Sequence, residues 1–91
     1  MNASPRASAL AILTDVDKGA RTLDHAMDHF HRHSRYDRRD DSFVTALVYG
    51  VLRWRGRLDE IIVEVSTTPL TRIDREVLTI LRLGLYQMLF M

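Results

Sequence analysis

The chain has 91 residues, 46% of them hydrophobic and 27% charged, with a net charge of +1 and no cysteine. That length makes one small domain, 1–91, able to bury about 60–65% of the surface its unfolded chain exposes, and the composition is ordinary for a soluble globular protein. The lack of cysteine excludes a disulfide scaffold, a thiolate zinc site and a thiol nucleophile. No apolar run approaches the roughly 20 residues of a membrane span and no secretory signal opens the sequence, so a cytoplasmic protein with no membrane partner is expected.

Five helices and no strand are predicted. Ser4 followed by Pro5 reads as N-cap then N1, and Gly19 as the stop of the first helix. Between them Ala9, Ile12, Leu13 and Val16 make an apolar stripe at i, i+3, i+4 and i+7. Thr22 caps the second helix, whose stripe is Leu23, Ala26, Met27 and Phe30. On its other face His25, His29 and His33 fall at i, i+4 and i+8, a spacing that can hold a metal. That face meets open water and lacks the surrounding hydrogen bonds a metal site needs, so none is expected.

Ser34–Asp37 is the connection to the third helix, where Asp37, Asp40 and Asp41 place negative charge at the N-terminus that the dipole favours. Phe43, Ala46, Leu47, Gly50, Val51 and Trp54 then share one helical face, and Val44, Val48, Tyr49 and Leu52 widen it until little polar surface remains. Such a helix belongs in the middle of a bundle. Its C-terminal end carries Arg53, Arg55 and Arg57 at alternate positions around Trp54, and Gly56 is expected to break or bend it. Leu58, Ile61, Ile62 and Val65 form a fourth short stripe, ended by Ser66–Pro69.

The fifth helix runs from about Asp74 to Met91. Arg75, Thr79, Arg82 and Tyr86 form one narrow polar line on it, and almost everything else is apolar. Four short helices cannot cover so broad an apolar arc. The chain therefore reads as cut before its bundle is complete, with Leu85, Met88, Leu89, Phe90 and Met91 left to drive self-association as a homodimer. Gly50 and Gly84 lie inside helices, where glycine costs about 1 kcal/mol relative to alanine. Both are expected at close crossings of the third and fifth helices.

No catalytic constellation is present: the four glycines are isolated, and no serine or lysine stands in a nucleophile motif. The small net charge hides its distribution. Residues 31–57 hold seven arginines against three aspartates, a local net of +4. Arginine supplies twelve of the thirteen basic residues, and its planar fork matches phosphate oxygens and stacks on bases. This pattern favours a nucleic-acid partner, the alternative being a solvated arginine-rich loop and helix end.

Four segments carry a resemblance: Arg6-Ala-Ser-Ala-Leu-Ala-Ile-Leu13, Leu47-Val-Tyr-Gly-Val-Leu-Arg53, Leu58-Asp59 and Leu81-Arg-Leu-Gly-Leu-Tyr-Gln-Met-Leu-Phe90. In order and spacing they resemble the NusB-like domain found at the N-terminus of bacterial ribosomal RNA cytosine-5 methyltransferases of the Sun/Fmu type. The resemblance covers essentially the whole chain. It implies an all-α, NusB-like antitermination-factor bundle whose further C-terminal helices are missing here. It also implies an RNA-binding module ahead of a separate catalytic domain that uses S-adenosylmethionine and a cysteine. This chain alone is then no enzyme and holds no cofactor. In NusB-like proteins arginines at the start of the first helix contact RNA; only Arg6 matches, and the arginine run of free NusB is lacking.

The resulting candidates for phosphate contact are Arg6, Arg38, Arg39, Arg53, Arg55 and Arg57, with ribosomal RNA and the protein's own methyltransferase domain as partners. Tyr36 and Trp54 are the candidate base-stacking groups, although the helical phase of Trp54 also suits a core position. Two other readings stand beside this one. The first is a protein-interaction module docking on a catalytic domain or a ribosomal protein. The second is a stand-alone NusB-type transcription antitermination factor.

Overall fold

A computed structural model describes residues 4–91 of the chain. Its elements are α1 (Pro5–Asp17), α2 (Leu23–His33), α3 (Arg38–Arg53), α4 (Arg55–Val65), a 3-10 turn (Leu70–Arg72) and α5 (Arg75–Phe90). The protein is all-α, with no strand among the described residues. Two compact units divide the chain, Met1–Val48 and Tyr49–Met91, and the boundary falls inside α3.

In the first unit the helix ends form where the capping chemistry places them. The Ser4 hydroxyl accepts from the Ala7 N–H at 3.1 Å and the Thr22 hydroxyl from the His25 N–H at 3.2 Å, each satisfying a donor that the first turn would leave unpaired. Gly19 ends α1 with φ +74°, the left-handed conformation glycine adopts without strain. Helix α1 packs on α2. Ala9, Ile12 and Leu13 of α1, Ala26 and Met27 of α2, and Val44, Leu47 and Val48 of α3 are buried. The inward arc of α3 is rotated from the predicted face: it centres on Val44, Leu47, Val48 and Val51, while Ala46, Tyr49 and Trp54 are exposed. The β-branched valines fill the tight interior, and the larger rings keep an edge in water.

In the second unit α4 packs on α5 and on the 3-10 turn. The break between α3 and α4 falls at Trp54 (φ −100°, ψ 12°), two residues before the predicted Gly56. Among the described residues only Gly19 has a positive φ, so Gly56 has no conformational task and stays helical. Asp74 caps α5, its carboxylate accepting from the N–H groups of Glu76 at 2.9 Å and Val77 at 3.3 Å.

The polar line of α5 faces inward. Thr79 and Arg82 are buried, whereas Val77, Ile80 and Leu81 on the apolar side are exposed. Burial of a guanidinium requires a counter-charge, and Asp59 of α4 supplies it: Arg82 Nε donates to Oδ1 at 2.7 Å and Nη2 to Oδ2 at 2.9 Å. Thr79 satisfies its hydroxyl within the helix, donating to the Arg75 carbonyl at 3.0 Å.

The two glycines part company. A methyl group on Gly50 would lie 2.7 Å from Tyr86 Cε1 and closer still to its Cζ and hydroxyl, so α3 and α5 do approach closely there. Around Gly84 nothing lies within 4 Å, and it is exposed, which corrects the expected crossing at that position. Gly84→Ala should therefore raise stability by about 0.5–1 kcal/mol through helix propensity alone. Urea denaturation followed by circular dichroism checks this, and a loss of stability would place an unseen neighbour at Gly84.

Candidate nucleic-acid interface

The arginine cluster of the second unit gathers at the α3–α4 junction. Arg53 ends α3, Trp54 forms the break, and Arg55 and Arg57 lie in the first turn of α4; all four are exposed. The Trp54 ring stacks on Phe90 of α5 at 5.0 Å between centroids and 25° between planes, and Phe90 stacks in the same way on Tyr86. This three-ring ladder fixes the indole on one side while 40% of the Trp54 surface stays in water. The Arg53 guanidinium carbon lies 6.0 Å from the indole centroid, within cation–π range. Trp54 is thus a braced, half-open ring rather than a core residue. Arg57 also pairs with Glu60 of the same helix at 3.1 Å, an exposed contact that a phosphate can displace at small cost.

In the first unit the candidates divide. The Arg6 guanidinium carbon stands 5.8 Å from the Phe43 ring centroid, which orients an otherwise exposed side chain. Arg38 and Arg39 open α3 and are exposed. Their turn is organised by Asp37, whose carboxylate accepts from the Asp40 N–H at 2.9 Å, and by Asp41, which accepts from the Ser34 hydroxyl. Tyr36 is half-buried. Its hydroxyl shares a hydrogen bond with Ser8 of α1 at 2.8 Å, and its ring lies 6.2 Å from Phe30. The six candidate arginines are therefore split between the two units: Arg6, Arg38 and Arg39 in one, Arg53, Arg55 and Arg57 in the other.

The ring ladder on α5 is the feature that sequence reasoning misses. Phe90 was singled out as a self-association residue, yet it also braces Trp54; the i, i+4 spacing of Tyr86 and Phe90 on α5 is the signal that a ring ladder could form. The histidines of α2 are exposed, with the His29 and His33 rings 4.2 Å apart. Desolvation in particular, and then the charges of Arg21, His33 and His25, hold His29 below its ordinary pKa, with Asp15 opposing. Among the described residues no three His, Cys, Asp or Glu side chains converge on a common point, and no helix is long and apolar enough to cross a membrane.

Comparison with known proteins gives a consistent picture. The sequence model of the NusB family matches residues 3–91. The ribosomal RNA small subunit methyltransferase B of Thermus thermophilus is 40% identical over 84 residues, covering 89% of this chain and 20% of that protein. The same-named protein of Pseudomonas putida is 29% identical over 96% of this chain and 20% of its own length. A probable ribosomal RNA small subunit methyltransferase B of Synechocystis sp. is 32% identical over 97% and 20%. The chain spans about a fifth of the length of these curated relatives. No solved structure matches it.

Proposed function

The chain belongs to the NusB family, and from that premise we propose that it is a non-catalytic RNA-binding module that positions ribosomal RNA for a cytosine-5 methyltransferase domain. The observation that carries this reading is the α3–α4 junction, where exposed Arg53, Arg55 and Arg57 flank in sequence a tryptophan braced on Phe90, with Arg53 over its ring. Guanidinium groups at such a point can pair with successive phosphates, and the open indole face can take a base. The names of the relatives supply the RNA class, and the one-fifth coverage supports a module that accompanies a larger catalytic part. In this reading S-adenosylmethionine belongs to that catalytic part, and the present residues only hold and orient the substrate.

Anisotropy titration of structured ribosomal RNA tests the proposal. The chain should bind, and replacing Arg53, Arg55 and Arg57 together with glutamine should weaken binding alike for different RNA sequences, because phosphate contacts carry no base information. Full affinity in the triple variant would exclude the junction from the interface.

The apolar side of α5 favours a second reading, an interaction with protein. Met88 is 83% exposed and Met91 60%, with Leu89, Phe90, Val77, Ile80 and Leu81 also open, while Leu85 is half-buried. Each such side chain left in water forgoes about 1.5–3 kcal/mol of burial, and contiguous apolar patches of this kind mark interaction sites. The 91-residue chain should accordingly self-associate at micromolar concentration through this helix. Sedimentation should give a species heavier than the 10.6 kDa monomer, and Met88→Lys with Leu89→Lys should return it to the monomer. A monomer already in the unsubstituted chain contradicts the expectation.

A further inference from the structure

A cleft of about 480 Å³ opens in the first unit between α1, α2 and the Ser34–Tyr36 connection. None of the six candidate phosphate-contact arginines lines it. That volume falls in the range of sites that take a single small ligand. Its walls have three kinds of surface. Buried Ile12 of α1 and Ala26 of α2 make an apolar floor, and exposed Ala11 of α1 an apolar edge. Phe30 and Tyr36 present ring surface, and the Ser8–Tyr36 hydrogen bond at 2.8 Å ties the tyrosine to α1 so that its ring does not fold into the space. Arg21 and Arg35 bring two guanidinium groups to the lining, and Asp15, one turn along α1 from Ala11 and Ile12, brings one carboxylate.

We propose that this cleft takes one unpaired nucleotide of the bound RNA, its base on the floor beside Phe30 and Tyr36 and its phosphate on Arg21 and Arg35. The inference rests on the RNA-binding reading above and names a site within it. A purely apolar ligand would make no use of the two guanidinium groups and the carboxylate, and a bare phosphate none of the ring-lined surface. A nucleotide uses both. Asp15 adds a preference: a carboxylate accepts from an exocyclic amino group, which adenine and cytosine present and uracil does not. His29 lines the same cleft and adds ring surface beside the base.

The test compares a ribosomal RNA hairpin carrying one unpaired adenosine, the same hairpin with uridine there, and the fully paired duplex. Stacking and phosphate contacts should make the adenosine hairpin about tenfold tighter than the duplex. Ala11→Trp fills the cleft from an exposed position on α1 and should abolish that preference while leaving duplex affinity unchanged. Arg21→Gln with Arg35→Gln should reduce it without touching the floor, and serves if the tryptophan variant does not fold. Tight adenosine-hairpin binding that survives both substitutions overturns the site but leaves the RNA-binding reading standing. If no RNA binds, that reading fails, and adenosine monophosphate decides the cleft separately. Shifts of the Tyr36 and His29 ring signals that vanish in Ala11→Trp support it, and their absence at millimolar nucleotide overturns it.

Discussion

Asp59→Asn should lower the unfolding free energy by about 3 kcal/mol, equivalent to a fall in Tm of roughly 12 °C or more for a domain of this size. The substitution keeps the shape of the side chain and removes only its charge. Arg82 is 7% exposed and donates two hydrogen bonds to the Asp59 carboxylate. Without that charge the guanidinium is left buried and uncompensated, which costs more than the pair itself contributes. The same reasoning predicts recovery: Asp59→Leu combined with Arg82→Met removes both charges and should be markedly more stable than Asp59→Asn. Urea denaturation of the three proteins decides the matter. A single variant within about 0.5 kcal/mol of the parent would show that water reaches Arg82 and screens it.

Gly50→Ala is the second large effect. The added methyl overlaps the far end of the Tyr86 ring, and moving that ring disturbs its stack on Phe90 at 5.0 Å. Overpacking of this kind costs about 1–3 kcal/mol, against a gain of about 1 kcal/mol or less in helix propensity. The substitution should therefore destabilise, and because Phe90 also braces Trp54, it should loosen the indole and shift its fluorescence. The penalty should disappear when Tyr86 is first shortened to serine, since the two sites share one volume. An equal penalty in that background would place the clash elsewhere.

Sequence and structure diverge at the partner of Arg82 and at Gly84. Helix starts, stops and stripes rest on local chemistry, and Ser4, Thr22, Gly19 and Asp74 do what their side chains and φ values dictate. The inward turn of the polar line of α5 depends on Asp59, 23 residues earlier, and no periodicity within α5 reports that partner. Gly50 and Gly84 look alike in sequence, yet Tyr86 crowds one and nothing approaches the other. The break at Trp54 rather than Gly56 likewise accompanies a stacking partner on another helix. The exposure of the six candidate arginines was legible because a charged side chain at a helix end favours water. The Ser8–Tyr36 hydrogen bond and the cleft beside it were not, because they join residues 28 positions apart.

Binding of RNA at the α3–α4 junction through phosphate contacts, as proposed, makes affinity depend steeply on salt. Each phosphate neutralised releases condensed counterions, so log affinity falls by about 0.7 to 0.9 per contact for each unit of log salt. With Arg53, Arg55 and Arg57 all engaged, the slope measured with structured ribosomal RNA should be steeper in the parent than in the triple glutamine variant by roughly 2 to 3. Equal slopes in the two proteins would contradict the account.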